Sequence, residues 1–130
     1  MDALERIRSI ISGFAGYEEP AQRRLSDEQI RGFVGEALAQ LPAVEIDALT
    51  AEERSCYDGV LLRCEFVNQD VFRVFDGDPT PQRVQATLVA DADVIEMARV
   101  LREAAEQRPN GTLAALSEAF DKRDAAMLLS

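Results

Sequence analysis

The chain has 130 residues, 47 % of them apolar, which suits one soluble domain able to bury its own core. Its 14 basic and 24 acidic side chains leave a net charge of −10, which argues against nucleic acid and anionic membranes as partners and permits a basic protein. It has no histidine, so Cys–His and Ser–His–Asp catalysis and histidine metal ligation are excluded.

Residues 2–15 place Leu4, Ile7, Ile10, Ile11 and Phe14 on one helical face. Gly16 suits the left-handed position that ends a helix, with Tyr17 folding back onto Ile11. Pro20, after Glu18 and Glu19, marks a new start. Ser26 with Gln29 reads as a capping box, and Leu25 with Ile30 as its hydrophobic staple. A helix is therefore expected over 27–41, preceded by a short turn over 20–25, with Ile30, Phe33, Val34, Ala37, Leu38 and Leu41 inward. The tetrapeptide Gly-Phe-small-Gly occurs twice, at 13–16 and 32–35. The second copy sets Gly32, Gly35 and Ala39 along the back of that helix, a strip that another backbone can approach closely.

Pro42 to Leu49 reads as a connection with a turn of helix. Thr50 and Glu53 make a further capping box, and one long helix is expected from there to Phe75. Tyr57, Val60, Cys64, Val67, Val71 and Val74 form its heptad-like seam. On its other side, Leu62 and Phe66 lie near Ser55 and Gly59. Asn68 falls on the seam, close in angle to Tyr57 and Cys64, so these three are a candidate polar pocket. Cys56 and Cys64, about 12 Å apart along a shared helix, are read as reduced thiols.

Asp76-Gly77-Asp78-Pro79 stops the long helix. It opens like a calcium loop and then fails, with Pro81 at the sixth position and Thr87 at the twelfth. Thr80 and Pro81 begin a segment to Ala90, read as helix with strand as the alternative. Asp93 and Glu96 read as a capping box for a helix over 94–107, with Val94, Met97, Ala98, Leu101 and Ala105 inward. Arg108-Pro109-Asn110-Gly111 ends it. Thr112 opens the last helix, with Leu113, Leu116 and Phe120 inward and a break near Asp121, where charged residues intrude on the stripe.

These elements describe an all-α, compact single-domain bundle of five to six helices. The thirteen arginines against one lysine, with abundant alanine, suggest a GC-rich bacterial genome. No secretory leader or span is read, so the cytoplasm is expected. No phosphate loop, dinucleotide fingerprint or CxxC pair is present, and no catalytic residue, cofactor or metal is expected. The sequence therefore points to a non-enzymatic, acidic helical interaction protein acting through a homodimer or a protein partner. Its candidate surface is Gly32, Gly35, Ala39, Leu62 and Phe66. A sharper form is an inhibitor that caps a basic target. The alternative is a small-ligand or carboxylate-based metal-binding helical protein using Tyr57, Cys64 and Asn68.

Overall fold

The computed structural model describes residues 1–103 and 110–130. Its described residues form helices and no strand, so the chain is all-α. Among the described residues the helices number seven, not five to six: α1 (Ala3–Ile10), α2 (Pro20–Ala39), α3 (Ala43–Asp47), α4 (Ala51–Glu65), α5 (Gln69–Gly77), α6 (Pro81–Glu103) and α7 (Asn110–Met127). α6 is central and packs on α1, α2 and α7, while α4 packs on α2 and α7, and α5 on α7. The core is aliphatic, with Ile7, Ile30, Val34, Leu38, Val60, Ile95, Leu101, Leu113 and Leu116 fully buried, and Phe75 among them. The expected Ala105 and the stretch before Asn110 lie outside the described residues.

Five boundaries differ from the sequence expectations. α1 stops at Ile10 rather than near residue 15. Its N-cap Asp2 accepts from the Glu5 amide at 2.8 Å, and the segment after Ile11 runs as a loop. Gly16 does take the left-handed region, at φ +93°, but within that loop and not at the helix end. It turns Tyr17 into the core, edge-on to Phe14 and Phe75.

α2 begins seven residues before its expected start, with Pro20 at its first position. Ser26 and Gln29 therefore cap nothing. Ser26 donates instead to the Gly16 carbonyl at 2.6 Å. Gln29 accepts from the Ala15 amide and donates to the Gly13 carbonyl. Both side chains tie the 11–19 loop down onto α2.

The long helix expected to reach Phe75 breaks at Phe66–Asn68. Phe66 is extended (φ −127°, ψ 125°), and Asn68 becomes the N-cap of α5, accepting from the Val71 amide. An Asn side chain offers the backbone a cap that competes with the helix interior. The Thr50 cap of α4 forms as expected, on the Glu53 amide.

The expected breaks at Asp91–Asp93 and near Asp121 are both absent. α6 runs from its Thr80 cap through Asp93, and α7 runs through Asp121-Lys122-Arg123-Asp124. Asp93 and Glu96 lie mid-helix and pair with Arg6 of α1, Glu96 at 2.7 Å. Asp76 pairs with Arg23 and Asp78 with Arg83, which accounts for both acids of the failed calcium motif. Among the described residues, no three His, Cys, Asp or Glu side chains are grouped to hold a metal ion. No helix among them is long and apolar enough to cross a membrane.

Candidate functional site

The unbroken course of α7 carries Arg123 into the interior, where it is 3 % exposed. Two carboxylates meet it there, Asp91 of α6 at 2.5 Å from Nε and Asp27 of α2 at 2.8 Å from Nη1. Tyr17 donates its hydroxyl to the second Asp91 oxygen, and Arg123 Nη2 donates to that hydroxyl at 3.3 Å. Arg31, one turn after Asp27 on α2, bonds the remaining Asp27 oxygen at 2.8 Å. Two guanidiniums thus face two carboxylates, and every carboxylate oxygen has a donor. Burial alone would make such charges costly, and this full pairing is what makes them tolerable.

The electrostatics follow from that enclosure. Burial pushes the Asp91 carboxyl above its usual range, against the pull of Arg123 and Tyr17. Burial and the neighbouring Asp91 raise the Tyr17 phenol well above its ordinary value, so it stays protonated, donating to Asp91 while its oxygen accepts from Arg123. For Arg123, burial works against the charge, but Asp91, Tyr17 and Asp27 outweigh it and keep the guanidinium ionised. The cluster is therefore a closed, internally neutral lock among α2, α6, α7 and the 11–19 loop. With Asp27 and Asp91 at 1 % and 0 % exposure, neither carboxylate reaches the surface.

Beside this lock lies a groove of about 240 Å³. Arg31 and Arg123 form part of its floor, Phe120, Asp124 and Met127 of α7 one wall, and Leu62, Phe66, Val67 and Val71 the other. Phe120 and Met127 are almost fully buried, whereas Leu62 and Phe66 are 59 % and 65 % exposed. Arg63 fixes the wall of α4 to α7, since it bonds Asp121 at 2.7 Å and Asp124 at 3.0 Å and lies 5.2 Å over the Phe120 ring. Arg31 Nη1 donates to the Cys64 carbonyl at 2.9 Å, which satisfies one free acceptor at the end of α4.

The candidate surface read from sequence divides. Leu62 and Phe66 form the groove's lip. Gly35 faces α4, where a Cβ would lie 3.6 Å from Cys64 Cβ, an ordinary contact. Gly32 and Ala39 are exposed, and nothing lies within 4 Å of a Cβ built on Gly32. The candidate polar pocket does not assemble. Tyr57 is buried under Arg54, whose guanidinium lies 5.5 Å from its ring, and Cys64 is buried against α2. Asn68 is exposed, caps α5 and alone of the three borders the groove. Burial pushes the Cys64 thiol up to about 12, which leaves it inert.

The lock itself, Tyr17–Asp91–Arg123–Asp27–Arg31, was absent from the sequence reading. A signal for it exists. Asp91 and Arg123 each lie three or four residues from core positions on both sides, as in Phe120–Arg123–Met127, and Asp27 lies three before the core residue Ile30. Opposite charges on the buried stripes of different helices are candidates for one another.

Compared with protein-family models, curated proteins and solved structures, the chain matches none.

Proposed function

We propose that this chain is a non-enzymatic, acidic interaction protein that holds a protein partner in the groove between α4, the 66–68 elbow and α7. The observation that carries the reading is the exposure of Leu62 and Phe66 at the lip of a mostly apolar groove, with the rest of the large apolar side chains around it buried or half-buried. Adjacent exposed apolar side chains mark interaction sites more often than isolated ones. Two further features support it. The groove is smaller than the roughly 300–1,000 Å³ of sites that enclose a small molecule. The buried ionisable cluster is consumed by its own pairing, which favours a structural role over a catalytic one. Two unpaired thiols, Cys56 and Cys64, suit the reducing cytoplasm in which such a protein would work.

Site-specific photo-cross-linking in the native host tests this. A cross-linker at position 62 is compared with one at position 44, since Val44 on α3 is 71 % exposed and outside the groove. A discrete adduct from position 62 that position 44 does not give is the expected result. Identical patterns from the two positions would overturn the reading.

A further inference from the structure

Resting on that reading, we infer that the groove's occupant is a basic amphipathic helix of a different protein, and not a second copy of this chain. Shape gives the first argument. Ser55, Gly59, Leu62 and Phe66 recur every three or four residues, and all four are exposed. Ser55, Gly59 and Leu62 form a stripe down the outer face of α4, about 10 Å long at 1.5 Å per residue, and Phe66, the extended residue that caps the helix, stands at its end. Its upper half is small and its lower half apolar. A partner helix of about three turns can therefore lie close along Ser55 and Gly59 and drive an apolar side chain between Phe66 and the α7 wall. Helix-in-groove recognition asks the partner helix for apolar anchors three or four residues apart, the repeat that meets this stripe.

Charge gives the second argument. Asp58 and Glu65 flank one side of the stripe, at −4 and +3 from Leu62, and Asp121 and Asp124 flank the groove's far wall. These four carboxylates face two guanidiniums, Arg54 paired with Asp58 and Arg63 paired with Asp121 and Asp124. On the floor, Arg31 and Arg123 are already balanced by Asp27 and Asp91. The rim is thus acidic beyond its own pairing, and Asp121 is 71 % exposed at its side chain. A second copy would bring another acidic rim and a further net charge of −10 to the same face. A helix with Lys or Arg beside its apolar stripe meets the opposite field.

The test uses two synthetic 18-residue helical peptides with the same Leu/Phe stripe, one flanked by Lys and Arg, the other by Glu. Binding to the full chain is read by fluorescence anisotropy at low and high salt. The basic peptide should bind roughly tenfold or more tightly than the acidic one and weaken with salt. It should also lose most of its affinity to Phe66→Asp, a variant of an exposed residue whose melting temperature confirms folding. Equal binding of the two peptides, or binding by neither, overturns the inference. Full affinity for Phe66→Asp does so too. The groove reading fails separately, through the cross-linking comparison. If cross-linking succeeds and the trapped segment is acidic, or is this chain itself, only the present inference falls.

Discussion

Arg123 shows how one buried charge is held and what its loss does. Replacing Arg123 with Met leaves Asp91 without its cation in the interior and Asp27 with Arg31 alone. Removing one partner of a buried, hydrogen-bonded set costs about 3–5 kcal/mol, so Arg123→Met should be strongly destabilised in urea unfolding. A loss under about 1 kcal/mol would mean that water reaches the cluster. Asp91 adds a pH dependence with a definite sign. Its carboxyl titrates above the usual range in the folded chain, because burial disfavours the charge. Between the ordinary carboxyl range and that raised value, the folded state holds more protons than the unfolded state. The Asp91 contribution to stability therefore grows as pH falls through this window. Measured against Asp91→Asn, which cannot titrate there, wild type should gain relative stability on going from neutral to mildly acid pH. A relative loss would show that Arg123 and Tyr17 outweigh burial at this carboxylate.

At the scale of elements, the decisive residue is Asn68. Its side chain accepts from the Val71 amide and starts a new helix where the hydrophobic seam alone suggests continuation. Asn68→Ala should cost about 1 kcal/mol, the usual value of an N-cap, while Asn68→Asp or Asn68→Ser should be nearly neutral. Gly32 is the converse case. It lies in mid-helix with open space where a Cβ would be, so Gly32→Ala should stabilise α2 by roughly 0.5–1 kcal/mol. Thermal unfolding of both variants checks these signs. A destabilised Gly32→Ala would mean that a backbone packs there after all.

The same elements show how far periodicity reaches. The all-helical class, the inward faces of α2 and α6, the Thr50 and Thr80 starts and the Asp76–Pro79 stop were all legible, because each depends on neighbours within a turn or two. Three of the differing boundaries share one cause. Ser26–Gln29 and Asp93–Glu96 have capping-box spacing, yet their side chains serve tertiary partners, the 11–19 loop and Arg6. Arg123 was read as an interruption of α7 because its counter-charges lie on α2 and α6, far away in sequence. Of the proposed surface, the sequence marks Leu62 and Phe66 as apolar residues off the main seam. The groove was not, since it needs the elbow at 66–68 and the wall of α7.

Across the whole molecule, the interior and the exterior separate their tasks. The charged lock inside joins three helices and a loop and is neutral within itself. The surplus negative charge lies outside this lock, and the rim of the groove carries part of it in Asp58, Glu65, Asp121 and Asp124. One measurement tests that division most directly. The partner trapped through position 62 is purified, and its affinity for wild type and for Phe66→Asp is measured by calorimetry. The account predicts unchanged melting temperature and a loss of about 2 kcal/mol or more in binding, as expected of an aromatic anchor. Equal affinity of the two proteins, at equal stability, would contradict it and place the contact elsewhere on the surface.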